Sequence, residues 1–424
     1  MEQTNTHLTE KDKKRNYIFY CIDAALFQLG NAFFEPNSVI PSFIGSFTQN
    51  SILIGLSSTI RNLGWFLPQL FVSNYIQDKT YKKPFSLTVS FIMRASALFM
   101  ALVAMFFGRK SATVTLLLFY FFYSLFSICD GLSGVPWVDI LGKIIPERKR
   151  GRFIASYQSI GGLLAFAAGF FIKKILESPK LNFPINFSIL YILGFIALLI
   201  SLGFFSLIKE PPSITKNDKM NIKEFFQYVK NIASDDRNLV KAIITNILIR
   251  GFFLSMPFYA LFANDFLMLS QDVIGYFVSA QMVGYILSCN LWGYLSDHKS
   301  NKTVITLTGI SAASTPCLAL ISAACFKTGM NNMLLPIYLV LYATIGFTLS
   351  GVFLGFNNYI LEFSHEENRA VYIGMCNTLV APTTLFPILG GLLIQHFSYK
   401  PLFIFTTIMI LIGVVFSQSL DDRV

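Results

Sequence analysis

The sequence predicts an all-α membrane protein with twelve transmembrane helices in two pseudo-symmetric six-helix bundles. Three observations predict it. First, 54% of the 424 residues are hydrophobic and only 13% are charged, about half the charged share of a soluble domain. A soluble interior has no room for that much apolar side chain, whereas lipid accepts it. Second, the apolar residues fall into about twelve blocks of roughly 20 residues, each long enough to cross the hydrocarbon as a helix. Third, a small charged knot recurs half a chain apart: Asp78 in "IQDKT" and Asp297 in "LSDHK", 219 positions later, each directly following an apolar block.

In chain order, residues 1–17 form a polar tail whose "KDKKR" leads straight into the first block. This reads as an uncleaved first span that starts on the cytoplasmic side. Blocks near 18–43, 51–75, 85–107, 112–137, 152–175 and 185–208 make an N-terminal bundle, residues 18–208. The connection at 209–239 opens with "KEPPS", whose prolines end a helix. It continues "NIKEFFQYVKNIASDD", where Ile222, Phe225, Phe226, Val229 and Ile232 share one helical face. That pattern predicts a short amphipathic helix lying on the membrane surface. Blocks near 240–264, 272–295, 303–326, 333–357, 371–395 and 401–419 make a second bundle, residues 240–419, followed by a tail at 420–424.

An even number of spans places both termini in the cytoplasm. Lys and Arg agree: they crowd the assigned inner segments, while the outer loops hold only Arg109, Lys110, Lys173, Lys174, Lys180, Lys327 and Lys400. This is the positive-inside bias. The net charge of +10 is therefore assigned to membrane topology rather than nucleic acid. The expected location is the inner (cytoplasmic) membrane, as a multi-pass monomer in the bilayer. All six cysteines lie inside apolar blocks, with no CxxC or Cys/His cluster, so neither a disulfide framework nor a metal site is expected. Catalysis is not expected either. There is no phosphate-binding Gly–Lys loop, and His7, His298, His365 and His396 all lie in or near loops.

The repeat extends beyond the two knots. Gly55 and Gly64 answer Gly275 and Gly284, while Glu147 and Arg150 in "PERKRGRF" answer Glu366 and Arg369 in "HEENRAVY". Duplicated halves are a recurring design of membrane carriers. With these residues in view, the chain resembles the major facilitator superfamily, whose loops between spans two and three and between eight and nine carry a Gly-x-x-x-Asp motif followed by basic residues. "GYLSDHKSNK" keeps Gly293, Asp297 and Lys302. "NYIQDKTYKK" keeps Asp78, Lys82 and Lys83 but has Asn74 in place of the first glycine. The resemblance implies a cytoplasmic latch: Asp78 with Arg150 or Arg152, and Asp297 with Arg369. A carboxylate there can accept amides at a helix N-terminus and pair with arginine.

Ionisable residues at membrane depth are expensive and usually mark a pathway or a pair. Six stand out: Asp23, Glu35, Arg61, Arg94, Asp130 and Arg250. Glu35 and Arg61 lie 12 and 14 residues from the first outer hairpin tip near residue 47, roughly 18–21 Å down each helix at about 1.5 Å per residue, and are expected to pair. Asp23, Arg94 and Asp130 lie nearer the inner side, at depths expected to form a second cluster. Arg250 has no acidic neighbour at its depth. In the resembled family, spans one, four, seven and ten line the cavity, which adds Asn31, Asn246, Tyr338 and Tyr342 as expected cavity residues.

The resemblance implies a secondary transporter that moves a small amphipathic or anionic solute by alternating access. It is expected to be coupled to protons, with Glu35 the expected proton carrier and no cofactor. Two alternatives follow from the same residues. One is a cation-coupled sugar symporter, suggested by Asp23 and "VPWVDILGKIIPERKRGR" although span two lacks that group's acidic cluster. The other is a membrane sensor or lipid-handling protein that kept the fold.

Overall fold

A computed structural model describes residues 9–76, 79–212, 237–363, 376–377 and 379–421. The amphipathic helix expected at 222–232 lies outside them. All regular structure among the described residues is helical. The helices are α1 (Glu10–Ala32), α2 (Val39–Gly45), α3 (Ser51–Ile76), α4 (Lys83–Phe107), α5 (Ala112–Ile144), α6 (Glu147–Glu177) and α7 (Ile185–Ser206). Later in the chain come α8 (Arg237–Ile249), α9 (Ile274–His298), α10 (Asn301–Lys327), α11 (Leu334–Phe363), α12 (Phe386–His396) and α13 (Tyr399–Ser417). Nine stretches among the described residues are long and apolar enough to cross a membrane. The other three expected blocks fall on α1–α2, α3 and α12.

Three blocks are less regular than their hydropathy suggests. The first is two helices, interrupted at residues 33–38. Pro36 there has no amide to donate, and the Glu35 carboxylate takes the Asn37 amide at 2.6 Å. In the seventh, α8 gives way to 3₁₀ turns at Arg250–Leu254 and Met256–Phe258, one α-turn at Tyr259–Leu261 and a π-turn at Phe262–Phe266. Pro257 removes a donor in the middle of that stretch. In the eleventh, the described part opens as a 3₁₀ turn at Ala381–Leu385 before α12, with Pro382 and Pro387 at the two starts.

Internal contacts group the chain into two compact units: residues 1–48 with 60–219, and residues 49–59 with 220–424. In the first unit, α3 crosses α5 at glycines. A β-carbon on Gly64 would lie 2.5 Å from Ser127 Cβ, and one on Gly131 would collide with the Gly64 carbonyl. The second unit has the same device where α9 crosses α11. A β-carbon on Gly284 would collide with the Ala343 carbonyl, and one on Gly346 with that of Gln281. Small residues let helix backbones approach where lipid provides no hydrophobic drive for association.

Candidate functional site

The α3–α5 crossing decides which charges meet. Gly64 is three residues after Arg61, and Gly131 directly follows Asp130, so the close approach brings those two side chains together. Arg61 Nη1 lies 2.6 Å from Asp130 Oδ2, with both side chains largely buried. Arg61 Nη2 also reaches Asn31 Oδ1 at 3.5 Å, and its guanidinium lies 5.5 Å from the Phe126 ring centre. The expected grouping is thus rearranged. Asp130 leaves the inner cluster to pair with Arg61, and Glu35, whose charge also acts on Arg61, accepts hydrogen bonds beside the α1 break. Its donors include the Asn37 amide, Asn37 Nδ2 at 2.7 Å and Ser38 Oγ at 3.2 Å.

Asp23 and Arg94 do meet, through a serine. Ser201 Oγ donates to Asp23 Oδ1 at 2.6 Å and accepts from Arg94 Nη2 at 3.4 Å. Trp137 Nε1 donates to the other Asp23 oxygen at 3.0 Å. Arg94 also donates to the Leu198 and Ser90 carbonyls, 3.0 and 3.2 Å away, and to Met93 Sδ at 3.6 Å. Asp23 therefore has two neutral donors as its direct partners, with the cation one residue further away.

In the second unit, Arg250 sits where α8 becomes a 3₁₀ helix. Its Nε donates to Asn246 Oδ1 at 2.8 Å, and its guanidinium lies 5.8 Å from the Phe253 ring centre. Among the described residues no carboxylate pairs with it. Tyr338 and Tyr342, expected to line a cavity, are fully buried. Both rings pack on Phe277, Tyr342 stacked at 4.4 Å and Tyr338 tilted at 5.5 Å.

The charges at the 82–83 end of the first unit form a network. The Glu210 carboxylate accepts the backbone amides of Lys82 and Lys83 at 2.8–3.0 Å, capping α4 from a distance in sequence. Lys143 bridges Glu210 at 2.7 Å and Asp139 at 2.9 Å, and Lys82 Nζ meets Asp139 at 2.7 Å. Lys83 Nζ donates to the Ser206 and Ile208 carbonyls. Arg150 is directed at carbonyls, those of Gly142 at 2.8 Å and Ile145 at 3.2 Å near the end of α5, while Arg152 is exposed. Asp78, Glu366 and Arg369 lie outside the described residues, as does the Glu147 side chain, so the expected latch pairs are not on view. In the corresponding region of the second unit, the hydrogen bonds centre on Asn301. Asn301 joins Glu362 at 2.8 Å and Ser296 at 2.6 Å. Asp297 is exposed, Lys302 is partly exposed and Gly293 has nothing within 4 Å of where a β-carbon would be.

Sequence reasoning missed Asp139, Lys143, Glu210, Trp137 and Ser201. The four-residue spacing of Asp139 and Lys143, and Glu210 immediately before two prolines, were the available signals.

The family model described as Major Facilitator Superfamily matches residues 21–381 and 242–421. No curated protein matches the chain. Among solved structures, the nucleoside transporter NupG superposes with a TM-score of 0.71 at 10% identity, covering 96% of this chain and 99% of that one. A bacterial homologue of the iron transporter ferroportin, in an inward-facing state, gives 0.71 at 15% identity, covering 97% and 99%. A D-xylose–proton symporter gives 0.69 at 14% identity, covering 96% and 97%. At these identities the likeness is one of fold.

Proposed function

Because the chain belongs to the Major Facilitator Superfamily, and is therefore a multi-pass membrane transporter of the secondary type, we propose that it moves a small anionic or amphipathic solute by alternating access, coupled to protons. In this reading both termini face the cytoplasm and the protein resides in the cytoplasmic membrane. The neighbours' cargoes differ from one another, so the solute class is argued from this chain's own residues.

The observation that carries the reading is Arg250. A guanidinium in a membrane-spanning stretch normally pairs with a carboxylate or with backbone carbonyls. Here the direct partners are Asn246 and the face of Phe253. Fixed by Asn246 through Nε, the guanidinium keeps its Nη donors for an anionic group, and bidentate recognition of a carboxylate or phosphate suits that geometry. The irregular backbone from Arg250 onward supports the same reading, since broken helices in membranes are tolerated where they line a cavity or are buried in protein.

For the proton, Asp23 is the best-suited carboxylate. Protonating Asp130 would strand Arg61, and protonating Glu35 would disturb its bonds from the Asn37 amide, Asn37 Nδ2 and Ser38 Oγ. Protonating Asp23 disturbs only contacts with Ser201 and Trp137, and Arg94 is placed to sense the change through Ser201.

Proteoliposome uptake of a panel of small organic anions tests both halves. Arg250→Gln should abolish uptake of any anion the wild type carries, along with the thermal stabilisation that bound ligand confers. Asp23→Asn should retain solute exchange but lose acceleration by an imposed pH gradient. Full anion uptake by the Arg250 variant would reject the solute class. A preserved pH response in the Asp23 variant would reject the proton site.

A further inference from the structure

A cavity at the α1 start of the first unit lies apart from the buried charges described above. It encloses about 830 Å³ and is bounded by the first turns of α1, the end of α5 and the start of α6. Its cations are Lys13 and Lys14 from α1, and Lys149 and Arg152 from α6, against a single carboxylate, Glu10. Glu10 is already engaged by Lys13 at 2.8 Å. That bond, with Lys149 contributing its field, holds the Glu10 carboxyl below the usual range. The cavity thus has three cations in excess of its own acid. The first turn of α6 contributes the positive end of a 31-residue helix, which also favours an anion.

Apart from Ser156, whose hydroxyl donates to the Arg152 carbonyl, the rest of the lining is mostly apolar. Ile144 and Ile145 belong to the core cluster with Tyr20, Phe153 and Phe205, so the floor is rigid. Ile18, Pro146 and Tyr17 complete the wall, and Ile18 is 44% exposed. Phosphate-sized anions alone have no use for this greasy side. A phospholipid does, because its headgroup phosphate meets the cations while its chains follow exposed apolar helix faces. These lysines and arginines also lie at the ends of membrane-crossing helices, where headgroups are found.

We propose that this cleft is a binding site for the headgroup of an anionic phospholipid, held by Lys13, Lys14, Lys149 and Arg152 with its glycerol and upper acyl carbons against Ile18, Tyr17 and Pro146. The assignment uses charge complementarity: basic pockets between transmembrane helices suit anionic lipids, each nearby Lys or Arg contributing modestly and additively. It depends on the membrane-spanning reading but not on the solute or on Arg250.

Native mass spectrometry of the full-length protein tests it, with phosphatidylglycerol and phosphatidylcholine of identical chains, and inorganic phosphate as competitor. The wild type should retain phosphatidylglycerol over phosphatidylcholine. The double variant Lys14→Gln/Lys149→Gln should weaken phosphatidylglycerol binding about tenfold or more while leaving phosphatidylcholine binding unchanged. A charge-preserving Lys149→Arg variant should bind as the wild type does, which separates lost charge from lost fold. Equal retention of the two lipids, or unchanged phosphatidylglycerol binding in the double variant, would overturn the site. Displacement of the lipid by inorganic phosphate at equal concentration would also overturn it, by making the cleft a free-anion site.

Discussion

The two glycine crossings are the same device used for different ends. In the first unit, Gly64 and Gly131 bring α3 against α5. In the second, Gly284 and Gly346 bring α9 against α11. The residue three before the first glycine is Arg61 in one and Gln281 in the other. The residue before the second glycine is Asp130 in one and Ile345 in the other. The backbone approach therefore survives without the ion pair, and the pair is not needed to make it. What Arg61 and Asp130 add is charge at a buried position, at a cost in desolvation that Ile345 does not incur. A costly feature present in only one of two equivalent places is better explained by function than by packing.

Removing half of the pair should have the largest effect. Asp130→Asn leaves the Arg61 charge buried and uncompensated, and should destabilise the protein by about 3–5 kcal/mol, read as a fall in thermal midpoint. The double variant Arg61→Gln/Asp130→Ile copies the second unit's residues. It should recover most of that stability, since replacing both partners of a buried pair is often neutral, yet remain inactive in uptake. A double variant that transports normally would make the pair structural and remove the distinction between the crossings.

The crossings themselves come next. Gly131→Ala and Gly284→Ala each place a methyl group against a backbone carbonyl that cannot rotate away. Each should cost about 1–3 kcal/mol, and the two losses should be similar because the geometry is. Transport should separate them: Gly131→Ala also displaces Asp130 from Arg61, so its uptake should fall further than its stability predicts. If Gly284→Ala is silent in both assays, the second crossing is looser than the first and the equivalence fails.

The sequence made the fold legible because lipid leaves few choices. A chain in hydrocarbon must satisfy its backbone within each helix, so block length and loop charge largely determine the spans. It also named the costly charges, since few residue types are tolerated at depth. Pairing was less legible because position along a helix gives height but not direction around it. Arg61 was at the right height for Glu35, whose charge does act on it, but its direct partner, across the glycine approach, is Asp130. Tyr338 and Tyr342 were likewise placed on a cavity-lining span, yet face Phe277. Neutral partners left no signal at all: Ser201 and Trp137 read as ordinary span residues. Glu210 read as part of a helix stop, although its carboxylate caps α4 by folding back over more than a hundred residues.

The ends of these helices extend the comparison to its smallest expected effect. In the first unit, Glu210, Asp139, Lys82 and Lys143 interlock. In the second, Asp297 is exposed and Gly293 faces open space. In this conformation nothing requires glycine at 293, so Gly293→Ala should change the thermal midpoint by no more than an ordinary surface substitution, within about 0.5 kcal/mol, and a helix-favouring alanine could even raise it slightly. The proposed alternating access sharpens the expectation, because a second conformation that closes a neighbour onto α9 would meet the new methyl group there. The measurement is therefore paired: the midpoint without ligand, and uptake. An unchanged midpoint with slowed uptake would locate a close approach in the other conformation. Both unchanged would mean that the glycine kept in "GYLSDHK" and replaced by Asn74 in the first half is equally dispensable in either place.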